Sequence, residues 1–298
     1  MSDTTASLSR KIGTAGDLLS VVRTMKAVAA SSLGQYESAV LALNDYYRTV
    51  QLGLVACLRE IEPPLAPAQR QNIEAGAIVA VVFGSDQGLV GQFNDVMADF
   101  VVKTLEDLPV QKIVWTVGER IRSRLTETDL VLDRSFILPG SIGAITPLVG
   151  KILIGIEALR EKGEIAQVCV FRNNPHAGAI YSPTWQRLLP LDEVWRRELT
   201  AMAWPTKNLP EVMNGGAATL LAFVREYLFV SLFKACAESL ASENASRLAA
   251  MQRAEKNIDE LLEDLNRSFH RLRQSSIDEE LFDVISGFEA LTKSAPRS

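Results

Sequence analysis

Stepping alternately three and four residues from Ile12, the chain presents Ile12, Ala15, Leu19, Val22, Lys26, Ala29, Leu33, Tyr36, Val40, Leu43, Tyr47, Val50, Leu54 and Cys57. Only Lys26 among these is charged, and it reads as a polar register residue within an otherwise apolar stripe. A seven-residue repeat held this long is the signature of a supercoiling helix seam. At about 1.5 Å per residue such a helix is roughly 70 Å long. A compact domain of this size cannot cover it, so the pattern calls for a partner helix of similar length. Gly13, Gly16 and Gly34 weaken the helix locally, and Ala29 with Ala30 permits close approach.

The far end of the chain supplies the partner. Leu248, Met251, Ile258, Leu262, Leu265, Phe269 and Leu272 keep the three-four spacing, with Glu255 as one polar break. The stripe resumes one residue out of phase at Ile277, Leu281, Val284, Phe288 and Leu291. A straight 3.6-residue helix accumulates such an offset against a 3.5-residue repeat. The charges between Glu238 and Asp283 read as a solvated helix face, with Glu243–Arg247 and Glu263–Arg267 in the favourable i,i+4 order.

Between these arms the pattern changes. Ala77–Phe83 (AIVAVVF) is β-branched and uncharged, as a strand buried on both faces would be. A glycine-rich turn follows, then a helix over Asp95–Leu105, a strand over Lys112–Val117 and a short helix. Pro147–Lys162 reads as an amphipathic helix and Gln167–Phe171 as another strand. The alternation predicts a small, mostly parallel α/β domain. Of the 12 prolines, all but Pro296 lie between Pro63 and Pro210, which leaves both arms free to be helical. The segments Ile61–Gln69 and Trp204–Glu211 read as hinges around the α/β domain.

Composition narrows the function classes. Over 298 residues, 31 basic and 36 acidic side chains give a net charge of −5, without the basic stripe of a nucleic-acid binder. Cys57, Cys169 and Cys236 are far apart and unpaired in sequence, so buried thiols in a reducing compartment are expected. His176 and His270 have no ligand pattern around them. The N-terminus lacks the apolar core of a signal peptide. The most apolar window, Val212–Leu232, is divided by Arg225 and Glu226 into runs too short to cross a bilayer.

The turn Gly84-Ser85-Asp86-Gln87-Gly88-Leu89-Val90-Gly91-Gln92-Phe93-Asn94 follows a strand and precedes a helix, where backbone amides can hold an anion. Its Gly-x3-Gly-x2-Gly spacing matches neither the dinucleotide fingerprint nor a Walker loop. A structural turn is the expected role, with nucleotide binding as the alternative. The Asp259–Asp264 group reads as solvation rather than a metal site. No catalytic constellation, cofactor site or metal site is predicted.

Three blocks resemble the gamma subunit, or central stalk, of the F-type rotary ATP synthases. Arg23-Thr24-Met25-Lys26-Ala27-Val28-Ala29-Ala30-Ser31 is similar to the family's basic-x-Met-x-x-Val-Ala-Ala signature. Ser85 through Asn94 is similar to its Asp-x-Gly-Leu-x-Gly-x-x-Asn turn. The most specific block, Glu238-Ser239-Leu240-Ala241-Ser242-Glu243-Asn244-Ala245-Ser246-Arg247-Leu248-Ala249-Ala250-Met251, matches its Ser-Glu-x-Ala-x-Arg-x-x-Ala-Met element. Arg273-Gln274, Ile277 through Leu281 and Ser286-Gly287 match its closing elements, so the resemblance runs from about residue 10 to 291.

The resemblance implies an α/β insertion plus a long antiparallel two-helix coiled coil formed by the N- and C-terminal helices. The parts expected are a coiled-coil helix over 1–62, a small α/β domain over 75–203 and a second coiled-coil helix over 211–292. It implies a non-catalytic rotor shaft that couples ion flow to ATP synthesis or hydrolysis, peripheral to the cytoplasmic face of a membrane. The implied partners are the ATP synthase alpha and beta subunits, an epsilon subunit and the membrane c-ring, with no nucleotide of its own.

By matching position, Arg23, Met25, Lys26, Arg273, Gln274, Asp278, Glu279 and Glu280 form the coupling surface. Phe282, Ile285, Phe288 and Leu291 lie at a bearing tip, and Asp86, Gly88, Gly91 and Asn94 shape the α/β turn. Gly16–Val21 replaces a more polar family segment, and Ser32–Gln35 lacks the usual basic residues. Asp278 and Phe288 stand where Thr and Ala are common. These departures point to a divergent branch, such as the stalk of an alternative F-type ATPase. An autonomous coiled-coil scaffold and a nucleotide-binding α/β enzyme are the competing readings.

Overall fold

The computed structural model describes residues 4–60, 76–106, 108, 110–176, 179–191, 193–208, 210–212 and 216–293, the side chains of 60, 179 and 287–293 excepted. The hinge expected over Ile61–Gln69 therefore lies wholly outside the described residues, as do the side chains of Phe288 and Leu291. The chain divides into two compact units, one of Met1–Val28 with Leu248–Ser298 and one of Ala29–Arg247.

The element order is α1 (Thr5–Glu60), β1 (Ala77–Phe83), α2 (Phe93–Glu106), β2 (Lys112–Val117), α3 (Glu119–Thr126), β3 (Val131–Phe136), α4 (Ile145–Glu161), β4 (Ile165–His176), β5 (Ala179–Leu189), α5 (Glu193–Thr200) and α6 (Gly216–Lys293). Long N- and C-terminal helices thus flank a central mixed α/β sheet.

The sheet belongs to the unit Ala29–Arg247. Its strand order is β3-β2-β1-β4-β5. The first four strands run parallel, and β5 returns antiparallel to β4. Because side chains alternate across a strand, β1 serves two cores. Val79, Val81 and Phe83 join Trp115, Ile152 of α4 and Leu232, Cys236 and Leu240 of α6. Ile78, Ala80 and Val82 face Met97 and Val101 of α2 and Ile121 of α3. This is why β1 carries no polar residue.

The stripe of the first arm and that of the second from Leu248 to Leu272 stay out of water, whereas its continuation at Ile277, Leu281 and Val284 is exposed. Each of the fourteen positions from Ile12 to Cys57 is buried or half-buried, Lys26 included. Within the unit Ala29–Arg247 the two helices run antiparallel. Tyr46 donates to Glu226 at 2.7 Å, the rings of Tyr47 and Tyr227 lie 5.7 Å apart, and Phe223 fills the space beside Gly53. A Cβ on Gly53 would lie 2.3 Å from that ring, so only glycine lets it seat. Val50, Leu54 and Tyr227 form a further cluster with Leu199 of α5, Trp195 and Trp204.

Several elements differ from expectation. The strands β3 and β5 and the helix α5 were not foreseen. β3 (VLDRSF) is an edge strand with mostly exposed residues, so it lacks the apolar run that marked β1. β5 carries Pro183, which an edge strand tolerates. The segment from Trp204 folds around its indole, which donates to Thr206 Oγ1 and the Asn208 carbonyl. Two helical stretches, Ile142–Glu161 and Gly216–Ser286, are long and apolar enough to cross a membrane by length and composition alone, contrary to the expectation from run lengths. Both contribute side chains to the sheet's core, among them Val149, Ile152, Leu232 and Leu240.

Gly118 joins β2 to α3 at φ 114°, and a Cβ there would lie 2.8 Å from the Ser85 carbonyl oxygen. Gly118→Ala should destabilise the chain by about 1–3 kcal/mol, read as a lower urea midpoint with an unchanged slope.

Candidate functional site

The glycine-rich turn is occupied by its own chain. Asn94 Oδ1 accepts from the Ser85 amide at 3.0 Å, and its Nδ2 donates to Ser85 Oγ at 2.8 Å. The carboxylate of Asp86 accepts the Glu119 amide at 2.9 Å and the Leu138 amide at 3.1 Å, tying the start of α3 to the segment after β3. Gly91 sits at φ 59° and Leu89 at φ 62°, and Gly88 lies beside the Arg120 guanidinium. The turn is therefore a junction of elements.

The same turn meets α6. Ser246 Oγ donates to the Val90 carbonyl at 2.6 Å, and Ser242 Oγ to the Asn173 carbonyl at 3.2 Å. Asn173 in turn donates to the Phe93 carbonyl at 3.3 Å. Arg172 of β4, itself partly buried, pairs with the buried Glu238, and Lys234 approaches the same carboxylate at 3.7 Å. One turn onward, Arg247 pairs with Glu243 at 2.6 Å. Burial raises the Glu243 carboxyl above its ordinary range, and the Arg247 charge offsets part of that rise. One Glu243 carboxylate oxygen and Arg247 Nε have no hydrogen-bond partner among the described residues.

The block that looked most specific in sequence is thus a polar interface between α6 and the sheet. Glu238 belongs to the block read from the sequence, whereas its partners Arg172 and Asn173 on β4 do not stand out there. Sequence reasoning took the charges from Glu238 onward for a solvated face, which holds for neither Glu238 nor Glu243. The Glu243–Arg247 pair forms, whereas Arg267 pairs with Asp264 and not with the expected Glu263.

In the other unit, α1 and α6 run antiparallel. Their two stripe breaks meet there: Lys26 Nζ donates to Glu255, which also accepts from Arg23 Nε at 2.9 Å. Asp259 stands 3.7 Å from the Arg23 guanidinium. The hydrogen bond from Lys26, then that from Arg23, holds the Glu255 carboxyl below its usual range. Met25 is half-buried beside them.

Thr5 and Ala6 share a shallow groove of about 440 Å³ with Phe269, Arg273, Ser276, Ile277 and Glu280. Residues 274–286 of α6 are all exposed, including Gln274, Asp278, Glu279 and the apolar Ile277, Leu281, Phe282, Val284 and Ile285. The structure therefore brings Arg23 and Lys26 together with Glu255. It places Arg273 through Ile285 along a separate, uncovered stretch.

Cys57, Cys169 and Cys236 are buried and form no disulfide, and burial pushes the thiol of Cys169 up to about 11. Among the described residues no group of three or more His, Cys, Asp or Glu side chains is placed to hold a metal ion.

The family model described as ATP synthase matches residues 4–291. The ATP synthase gamma chain of Salinibacter ruber is 27% identical over 292 residues, covering 92% of this chain and 94% of the relative. This chain belongs to the ATP synthase gamma family. The gamma chain of Polynucleobacter asymbioticus is 24% identical and covers 96% and 99% of the two chains.

The fold is shared with solved structures. The rotor of the Euglena gracilis mitochondrial ATP synthase superposes with a TM-score of 0.65 at 15% identity, covering 92% of this chain and 98% of that one. The Tetrahymena thermophila mitochondrial central stalk gives 0.55 at 20% identity, covering 78% and 99%. As a gamma subunit the chain is non-catalytic. It serves as the central rotor shaft of an F-type ATP synthase, a peripheral component of a membrane-bound complex.

Two outcomes test these contacts. Arg172→Ala leaves Glu238 buried with only the longer Lys234 contact, and should cost about 3–5 kcal/mol in chemical denaturation. Glu255 has a depressed folded-state pKa, so its stabilisation is complete above the ordinary glutamate value of about 4.3. That stabilisation is lost as pH falls through the folded value. The gap in thermal midpoint between the natural chain and Glu255→Gln should therefore close on acidification below that range.

Proposed function

We propose that the gamma shaft turns inside a ring of alpha and beta subunits, with its α/β part resting on a membrane c-ring beside an epsilon subunit. The complex would lie at the cytoplasmic face of the membrane. The natural division of the shaft is 1–62, 75–203 and 211–292. The observation that carries this reading is the uncovered end of α6. Ile277, Leu281, Phe282, Val284 and Ile285 expose large apolar side chains on a stretch reaching past the start of α1. An apolar helix end of this kind belongs in a sleeve supplied by other chains.

In that setting Phe282, Ile285, Phe288 and Leu291 form the bearing tip. Arg273, Gln274, Asp278, Glu279 and Glu280 face the ring below it, and Arg23, Met25 and Lys26 lie on the N-terminal helix facing the beta subunits. Asp86, Gly88, Gly91 and Asn94 hold the turn that anchors the α/β part. Rotation of an asymmetric shaft drives the catalytic subunits through different conformations in turn, coupling ion flow to ATP synthesis or hydrolysis. The departures at Gly16–Val21, Ser32–Gln35, Asp278 and Phe288 favour the stalk of an alternative F-type complex.

Co-expression with alpha and beta subunits should yield one ATPase that contains this chain. A shaft truncated after Glu280 should fold and co-purify, yet lose much of its ATP-driven ion pumping. Undiminished pumping would remove the bearing role, and failure of the full chain to co-purify would remove the rotor reading.

A further inference from the structure

Within the unit Ala29–Arg247, a cavity of about 440 Å³ opens between α1, the end of β5, α5 and α6. That volume lies in the roughly 300–1,000 Å³ range of small-molecule sites. The cavity shares no residue with the glycine-rich turn or with the Glu243–Arg247 pair.

Its inner wall is aromatic. The Tyr227 ring stands 5.7 Å from that of Tyr47 and 5.5 Å, edge-on, from that of Trp195. Tyr227 is 3% exposed, and its hydroxyl accepts from Tyr47 at 3.3 Å and from Trp195 Nε1 at 3.2 Å. A phenol that accepts two bonds still has its own proton to donate, and that proton finds no acceptor among the described residues. Burial pushes the Tyr47 phenol up, so its hydroxyl keeps the proton it donates.

The mouth carries the opposite need. Glu198 is exposed and has no ion-pair partner among the described residues, because the neighbouring cations are spent elsewhere. Arg197 stands 3.4 Å from Glu193, and Arg196 donates to the Leu58 carbonyl at 3.5 Å. The Glu198 carboxylate can only accept. A fitting ligand therefore offers an acceptor toward Tyr227, a donor toward Glu198 and a flat apolar ring for the aromatic wall.

Two other ligand classes fit less well. Arg187 also lines the cavity, which invites an anion, but it lies opposite Cys169 in the sheet. Cross-strand partners project to one face, and Cys169 packs in the core of α2 and α3. Gln186, opposite Val170, is on the other face with the core of α4 and α6. A small alkylammonium ion would need a full cage of ring faces, and Lys234 already stands 5.1 Å over the Tyr47 ring.

We propose that this cavity binds an uncharged amino-substituted nitrogen heteroaromatic, with its ring against Trp195 and Tyr227, its ring nitrogen on the Tyr227 hydroxyl and its amino group on Glu198. Such a ligand touches α1, α5 and α6 together and ties the short helix to both arms. The site goes beyond the rotor role and does not depend on it.

The test is calorimetric titration of the full chain with 4-aminoquinazoline. Saturable binding is expected with a dissociation constant of about 0.1–1 mM, in keeping with so small a ligand. Glu198→Ala, at an exposed helical position, should keep the melting midpoint and weaken binding about tenfold, as should Tyr227→Phe, which retains the ring. Should Tyr227→Phe lower the melting midpoint, Glu198→Ala decides alone. Absence of saturable binding, or unchanged affinity in Glu198→Ala, would overturn the proposal. So would tighter binding of 2-naphthoate, which marks an anion site on Arg187, or of tetramethylammonium, which marks a cation cage. None of these outcomes bears on the rotor reading, which co-purification tests separately.

Discussion

The ion pair between Arg172 and Glu238 fixes where α6 lies on the α/β part, and much of that unit follows from it. A buried charge must be matched by a partner at close range or the fold loses several kcal/mol. Arg172 stands on β4 and Glu238 on α6, so a single pair specifies which turn of a 78-residue helix meets the sheet. Apolar contacts alone would not choose. Leu232, Cys236 and Leu240 are interchangeable hydrophobes to a first approximation, and the next heptads offer similar ones. The hydrogen bonds from Ser242 and Ser246 then fall into register one and two turns further on.

What was legible in the sequence was the part built on repetition. The stripe from Ile12 to Cys57 and its counterpart from Leu248 to Leu272 are one-dimensional patterns, and the helices obey them. Lys26 and Glu255 stood out as the polar breaks of the two stripes. Pairing them needed only the antiparallel arrangement, and the sequence contained that hint. β1 was equally plain because both of its faces are buried. β3 was not: an edge strand has no need of apolar alternation, so Val131–Phe136 resembles a loop. The junction was hidden for another reason. Arg172 and Glu238 are sixty-six residues apart, and a charged residue on a helix looks the same whether it faces water or a partner.

The glycine-rich turn shows how one local pattern serves two ends. Exposed amides at the start of a helix attract anions in many folds. Here the Ser85 amide is taken by Asn94, the Val90 carbonyl by Ser246, and Asp86 bridges the Glu119 and Leu138 amides. Spacing alone argued against a nucleotide fingerprint, and the side chains around the turn explain what the glycines do. They let α6, α2 and α3 crowd onto a single loop.

The polar character of that junction also bears on how a twisting force passes through the protein. Apolar surfaces resist being pulled apart, but they slide over one another with little change in buried area. Hydrogen bonds and ion pairs depend on distance and angle, so they resist sideways displacement as well. Where α6 crosses the end of the sheet, Arg172, Asn173, Ser242 and Ser246 act like teeth on a gear. Torque applied to the helix reaches the sheet without slippage between them.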